Sequence, residues 1–179
     1  MVRFVWRGCL LGCLVLGLAG CESGAAGRTR RYREPVFTSD ILGVHAYFHP
    51  YNPWIWDEAR TRARGIVIQA LYLEGPGDPV QGVFGDGIIR PKMYAKVIDA
   101  NGREDWKLVK EWVYDVEAAM PFRSKKPSAQ GYGYALYLPW GDDIDVAGRE
   151  IRMVVTFERP DGRTITSAKK DFRVPGFAS

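Results

Sequence analysis

The chain has 179 residues, 46% hydrophobic and 13% aromatic, and a formal charge of +4. That is enough apolar material for one packed domain and argues against disorder. With 25 Lys and Arg set against 21 Asp and Glu, the charge is too mild for a nucleic-acid binder.

The first residues read as an export signal. Arg3 and Arg7 supply a positive start, and an uncharged apolar run follows from Gly8 to Gly20, with Leu10, Leu11, Leu14, Val15, Leu16 and Leu18. Spanning a bilayer takes roughly 20 apolar residues, so this run is too short for a permanent membrane helix. Leu18-Ala19-Gly20-Cys21 then sets two small residues directly before a cysteine. This stretch resembles the lipobox of bacterial lipoproteins. Over residues 1–21, the resemblance implies cleavage before Cys21, acylation of its sulfur (palmitate being a typical chain) and a mature protein held at the cell envelope. One acyl chain binds reversibly, whereas two or three anchor stably. Asp after the cysteine retains some bacterial lipoproteins at the inner membrane. Glu22 departs from that, which favours the outer membrane.

All three cysteines (Cys9, Cys13, Cys21) lie in this leader. The remaining chain has no disulfide, no cysteine nucleophile and no cysteine zinc site. Residues 22–35 read as a tether, first rich in Gly and Ala, then basic through Arg28, Arg30, Arg31 and Arg33. Arginines so placed either meet an anionic surface or keep a solvated linker extended. The division expected is signal 1–20, lipidated Cys21 and tether 21–35, and a domain over 36–176.

That domain alternates like strands. From Ile41, Leu42, Val44, Ala46 and Phe48 share one face, and Gly43, His45, Tyr47 and His49 the other. Asp57–Arg64 looks helical, with Gly65 as its stop. Ile66–Leu73 is apolar on both faces, which predicts a central strand. Ile89–Val97 alternates, but Pro91 demotes it towards an edge or a bulge. Asn101-Gly102 marks a hairpin. Beyond it, Trp106, Leu108, Trp112, Tyr114 and Val116 oppose Lys107, Glu111 and Asp115. A loop is expected from about Met120 to Gln130, and a second central strand over Tyr132–Leu138. Ile151, Met153, Val155 and Phe157 form a buried face before the turn Pro160-Asp-Gly162. The apolar phase of the return strand then changes parity, which predicts a bulge near Ser167. About seven strands with almost no helix imply an all-β antiparallel sandwich. In general pattern it resembles immunoglobulin-like sandwiches, with transthyretin-like and C2-like ones not separable from these.

No motif names a reaction or calls for a cofactor. His45 and His49 are the only histidines. Four strand residues span roughly 13 Å, too far for both rings to reach one zinc at about 2 Å per bond. Gly-x-Ser-x-Gly is absent. An EF-hand frame started at Asp143 fits Asp145 and Gly148 but puts Ala147 and Val154 where oxygen ligands belong. Asp142, Asp143 and Asp145 remain a weaker calcium alternative. Asp57, Glu58, Asp86 and Asp142 are the carboxylates a glycosidase could draw on. Gly82–Gly87 is glycine-rich but lacks the lysine and the strand-loop-helix setting of a phosphate loop, and reads as a turn.

The most unusual stretch is His49-Pro-Tyr-Asn-Pro-Trp-Ile-Trp56. Its prolines oppose regular pairing, yet its aromatics are costly to expose. It either caps an open end of the sandwich or forms a binding face. The expected function is a non-catalytic, lipid-anchored envelope module that binds or positions another envelope component. The alternative is a carbohydrate-binding module using Tyr51, Trp54, Trp56 and Trp140, and behind that a cell-envelope hydrolase. Cys21→Ser should release the protein from membranes or leave an uncleaved precursor. Failure of radiolabelled lipid to enter the wild-type protein would overturn the lipobox reading.

Overall fold

The computed structural model describes residues 37–77 and 81–176, which belong to one compact unit, Glu34–Ser179. The signal, Cys21 and the tether lie outside the described residues. The strands are β1 (Phe37–Thr38), β2 (Gly43–Phe48), β3 (Trp54–Trp56), β4 (Ala63–Glu74), β5 (Gly82–Gly85), β6 (Ile88–Ile98), β7 (Glu104–Glu111), β8 (Tyr134–Pro139), β9 (Glu150–Glu158), β10 (Thr164–Thr166) and β11 (Lys170–Arg173). Among the described residues no helix is long and apolar enough to cross a membrane.

Several of these are pieces of one strand. β2 and β3 lie end to end along one edge of β4, while β5 and β8 share its other edge. In the second sheet, β10 and β11 lie end to end along β9, followed by β6 and β7. Setting aside β1, which pairs parallel with β5, the main strands form two sheets packed face to face. This is an all-β sandwich, with β7 on the outer edge of the sheet of β6 and β9. Ile66, Ile68, Leu71, Leu73, Leu136 and Leu138 face Met93, Ile151, Met153 and Phe157 in one continuous core. Phe172 of β11 closes the edge, its ring centroid 4.9 Å from Phe48 and 6.0 Å from Trp54.

β4 is central, as its apolar run predicts, but for a more particular reason. Phe48 pairs with Ile68 while Tyr47 pairs with Ala70, and β8 shifts register across the same place. One extra residue at Gln69–Ala70 makes a bulge seen by both neighbours. Parity therefore changes midway: Ile66 and Ile68 face inward before it, Leu71 and Leu73 after it. The run looks apolar on both faces because two one-faced strands of opposite phase are joined there.

Five expectations need correction. Asp57–Arg64 is not a helix: residues 57–62 form a hairpin loop, and Ala63 and Arg64 open β4. The Asp57 carboxylate accepts from Thr61 N (2.7 Å), Thr61 Oγ1 (2.9 Å) and Arg62 N (3.2 Å), a local bonding pattern that competes with helix. β6 is central rather than an edge. Pro91 is tolerated because its carbonyl accepts from Trp112 N where β7 has ended, and its missing N–H falls on that side. β8 pairs only with β4 among the strands, and it alternates buried Tyr134, Leu136 and Leu138 with exposed Ala135, Tyr137 and Pro139. The Met120–Gln130 loop is preceded by a one-turn helix, Val116–Ala119, capped by Asp115, and opens with a 3-10 turn, Met120–Phe122. On β7 a bulge frees Val109 to pack against the core. Trp106 lies outside under the Arg152 guanidinium, 4.0 Å from its ring centroid.

The glycine-rich segment is likewise more than a turn. Gly82–Gly85 is strand, and the chain then crosses from one sheet to the other over Phe157. A Cβ on Gly85 or Gly87 would come within 2.6 Å of that ring, so the corner closes only on bare backbone. The bulge near Ser167 is present: Thr166 pairs with Thr156 but Lys170 with Met153. The Ser167 hydroxyl stands in for a carbonyl, accepting from Val155 N at 2.9 Å.

Deleting Gln69 removes the β4 bulge and returns Leu71 and Leu73 to the solvent face. Each buried leucine side chain contributes about 1.5–3 kcal/mol, so the deletion should abolish cooperative thermal unfolding or lower Tm steeply. A melting curve matching wild type would show that the bulge does not set the phase of β4.

Candidate functional site

The aromatic residues singled out in the sequence do not assemble into one platform. Tyr51 is 90% exposed, in a turn where His49 Nδ1 accepts from Tyr51 N and Asn52 N. Trp54–Trp56 pairs with β4 despite the flanking prolines, because Pro53 contributes only its carbonyl, which accepts from Val67 N at 2.7 Å. Trp54–Trp56 is therefore an edge strand, preceded by a turn over residues 49–53. Trp54 packs against the core, while Trp56 is half-buried and its indole N–H donates to Asn52 Oδ1 at 3.2 Å. Trp140 is 0% exposed. A ring enclosed on every side offers no face to a sugar, so its assignment as a stacking residue is withdrawn.

Three of the acidic candidates, Asp57, Asp142 and Asp145, are held by partners of their own. Asp142 lies 2.6 Å from Arg64 and Asp145 3.2 Å from Arg62, and Asp145 also accepts from Ala147 N. Among the described residues no three acidic, histidine or cysteine groups converge on one point, Asp142, Asp143 and Asp145 included. For Asp57, burial raises the carboxyl pKa, but the bonds from Arg62 and Thr61 outweigh this and hold it below the usual range. A glycosidase acid needs the opposite shift.

What the fold does bring together is a groove on the outer face of the first sheet. In register, Gly43 faces Glu74, His45 faces Tyr72 and Tyr47 faces Ala70. The groove, about 210 Å³, is walled by His45, Tyr47, Tyr72, Glu74, Gln81 and Gln130. His45 Nε2 lies 2.9 Å from Glu74 Oε1. The Tyr47 and Tyr72 rings meet edge to face, with centroids 5.8 Å apart. The Tyr72 hydroxyl bonds Ser128 Oγ at 3.0 Å, and Gln130 Nε2 donates to the Tyr47 hydroxyl at 3.4 Å. The loop carrying these residues is tied to the sheet by Gly82 N donating to the Gln130 carbonyl at 2.7 Å.

The sequence does hold the signal for half of this site. His45 and Tyr47 share a wet face in simple alternation. Tyr72 and Glu74 do not: counted straight from Ile66 they fall on the buried face, and only the bulge turns them out. His45 and His49 do not act as a pair, since the first holds Glu74 and the second closes a turn.

Trp54→Ala should lower stability by about 2–3 kcal/mol, below the usual range for a fully buried tryptophan, whereas Trp56→Ala should lower it much less. Thermal melts of the two variants check this. Equal losses would mean that both rings belong to the core.

Comparison with known proteins finds no matching family model, no similar curated protein and no similar solved structure.

Proposed function

We propose that this is a non-catalytic, lipid-anchored module of the cell envelope, held by Cys21, that docks another envelope component on the outer face of its first sheet. The support is a contrast between the two outer faces. The second sheet presents ion pairs: Arg90 with Glu158 at 2.8 Å, Lys96 with Glu104 at 2.7 Å and with Glu150 at 3.0 Å, and a two-pronged Arg152–Asp171 pair at 2.7 Å. The Arg152 guanidinium holds the Asp171 carboxyl below its usual range. Such pairs contribute little to stability at a surface, yet a partner would have to strip their water to bind there.

The first sheet presents Tyr47, Tyr72, Val67, Ala135 and Tyr137 along its outer face, with the His45–Glu74 pair at one end and Tyr47 44% and Tyr137 57% exposed. Tyrosines at a surface provide large contact area at a low cost in side-chain freedom, and they are enriched where proteins dock. This contrast carries the reading.

A photo-crosslinking amino acid in place of Tyr137 should give adducts in intact envelopes, and one in place of Leu108, exposed on the second sheet, should not. Cys21→Ser should remove the Tyr137 adducts by taking the protein from its membrane. Equal adducts from both positions, or none from either, would overturn the assignment of the docking face.

A further inference from the structure

We infer that the groove between His45, Tyr72 and Gln130 is a subsite for one neutral sugar residue of an envelope glycan, an inference that rests on the docking face proposed above and names its ligand. A pyranose ring has a face of C–H bonds and a rim of hydroxyls. It needs an aromatic ring beneath it, and donors and acceptors around it. Tyr47 and Tyr72 supply the rings. Glu74 supplies an acceptor, His45 a ring nitrogen, and Gln81 and Gln130 supply both amide donors and carbonyl acceptors.

The site is built before a ligand arrives. A Cβ on Gly82 would come within 2.8 Å of the Tyr72 ring and one on Gly133 within 3.0 Å, so two backbone stretches press directly against it. Its hydroxyl is held by Ser128 Oγ, which also accepts from Gln130 N and donates to the Gly131 carbonyl. Ordering that a flexible platform would undergo on binding is already done. At about 210 Å³, the groove has room for a single ring.

Charge narrows the class. Among the described residues no Lys or Arg lines the groove, and its one carboxylate is Glu74. Phosphorylated or uronic-acid ligands would meet that carboxylate with no Lys or Arg to offset it. Aromatic grooves also accept proline-rich peptides. Such a peptide lacks N–H donors at its prolines and would bring few to Glu74 or to the Gln81 and Gln130 side-chain carbonyls, and unpaired polar groups weaken binding. A neutral polyol satisfies them all.

The test is calorimetric titration of the full chain, in a detergent without a sugar headgroup, with tetramers of β-1,4-linked glucose and N-acetylglucosamine. An α-mannose tetramer, tetragalacturonate and a proline-rich peptide complete the panel. At least one neutral tetramer should bind saturably, while tetragalacturonate and the peptide do not. Tyr47→Ala should weaken that binding about tenfold, equivalent to about 1.4 kcal/mol, and leave Tm unchanged because the ring lies at the surface. Tyr72→Phe keeps the ring and should retain most of the affinity. Glu74→Gln removes the carboxylate and should admit tetragalacturonate. The inference is overturned if no neutral tetramer binds, if the peptide or the acidic tetramer binds better, or if Tyr47→Ala binds like wild type. Should it fail while Tyr137 still crosslinks, the docking face stands with a different occupant. Should both fail, the docking face falls with it.

Discussion

Almost everything in the first sheet hangs on β4. β2 and β3 take their hydrogen bonds from one of its edges and β5 and β8 from the other, so its register sets theirs. A strand so placed can change phase only if its register with both neighbours shifts at the same place. It does, at Gln69–Ala70, and the bulge keeps Ile66 and Ile68 in the core on one side and Leu71 and Leu73 on the other. The same shift turns Tyr72 and Glu74 outward beside His45 and Tyr47. The groove is thus a direct result of how the core is packed, because no phase of β4 buries Leu71 and Leu73 without exposing Tyr72 and Glu74.

The two faces of the sandwich diverge for a related reason. In the second sheet the outward positions of β6, β7, β9 and β11 carry Arg90, Lys96, Glu104, Glu150, Arg152, Glu158 and Asp171 beside Tyr94, Trp106 and Leu108, so opposite charges meet across strands and neutralise one another. The first sheet has few charges to pair. Its outer positions on β4 and β8 are Val67, Tyr72, Ala135 and Tyr137, and its cation-rich ends are tied to the Asp142–Asp145 loop. The corner at Gly85–Gly87 joins the two sheets over Phe157 and keeps their inner faces in contact.

How much of this was legible depends on whether a residue's neighbours in sequence are also its neighbours in space. The hairpins at Asn101-Gly102 and Asp161-Gly162, the buried face of β9 and the extra residue at Ser167 all follow from local pattern, and the structure contains each. Pro91 misled because a proline's effect depends on which edge its missing N–H faces, and that is fixed by where β7 happens to end. Asp57 misled because one carboxylate holding three donors overrides helical spacing. Trp140 and Trp54 look alike in sequence, but one is enclosed by the core and the other borders it. Half of the groove was hidden by a single bulge, which alternation cannot reveal when alanine and glutamine occupy it.

A shallow, open groove is poor at holding a free ligand, since it leaves much of the ligand in water. Anchoring changes what such a groove can do. If Cys21 fixes the module to the membrane that bears or faces its partner, each encounter becomes close to intramolecular, and effective concentration replaces intrinsic affinity. Two or three acyl chains then supply residence and the sheet face supplies selection. A preformed site suits that division, because weak contacts made without reorganisation can form and break quickly along a repeating surface. On this reading the fixed place of the Tyr72 ring, which the backbone at Gly82 and Gly133 closely approaches, matters more than the depth of the pocket it lines.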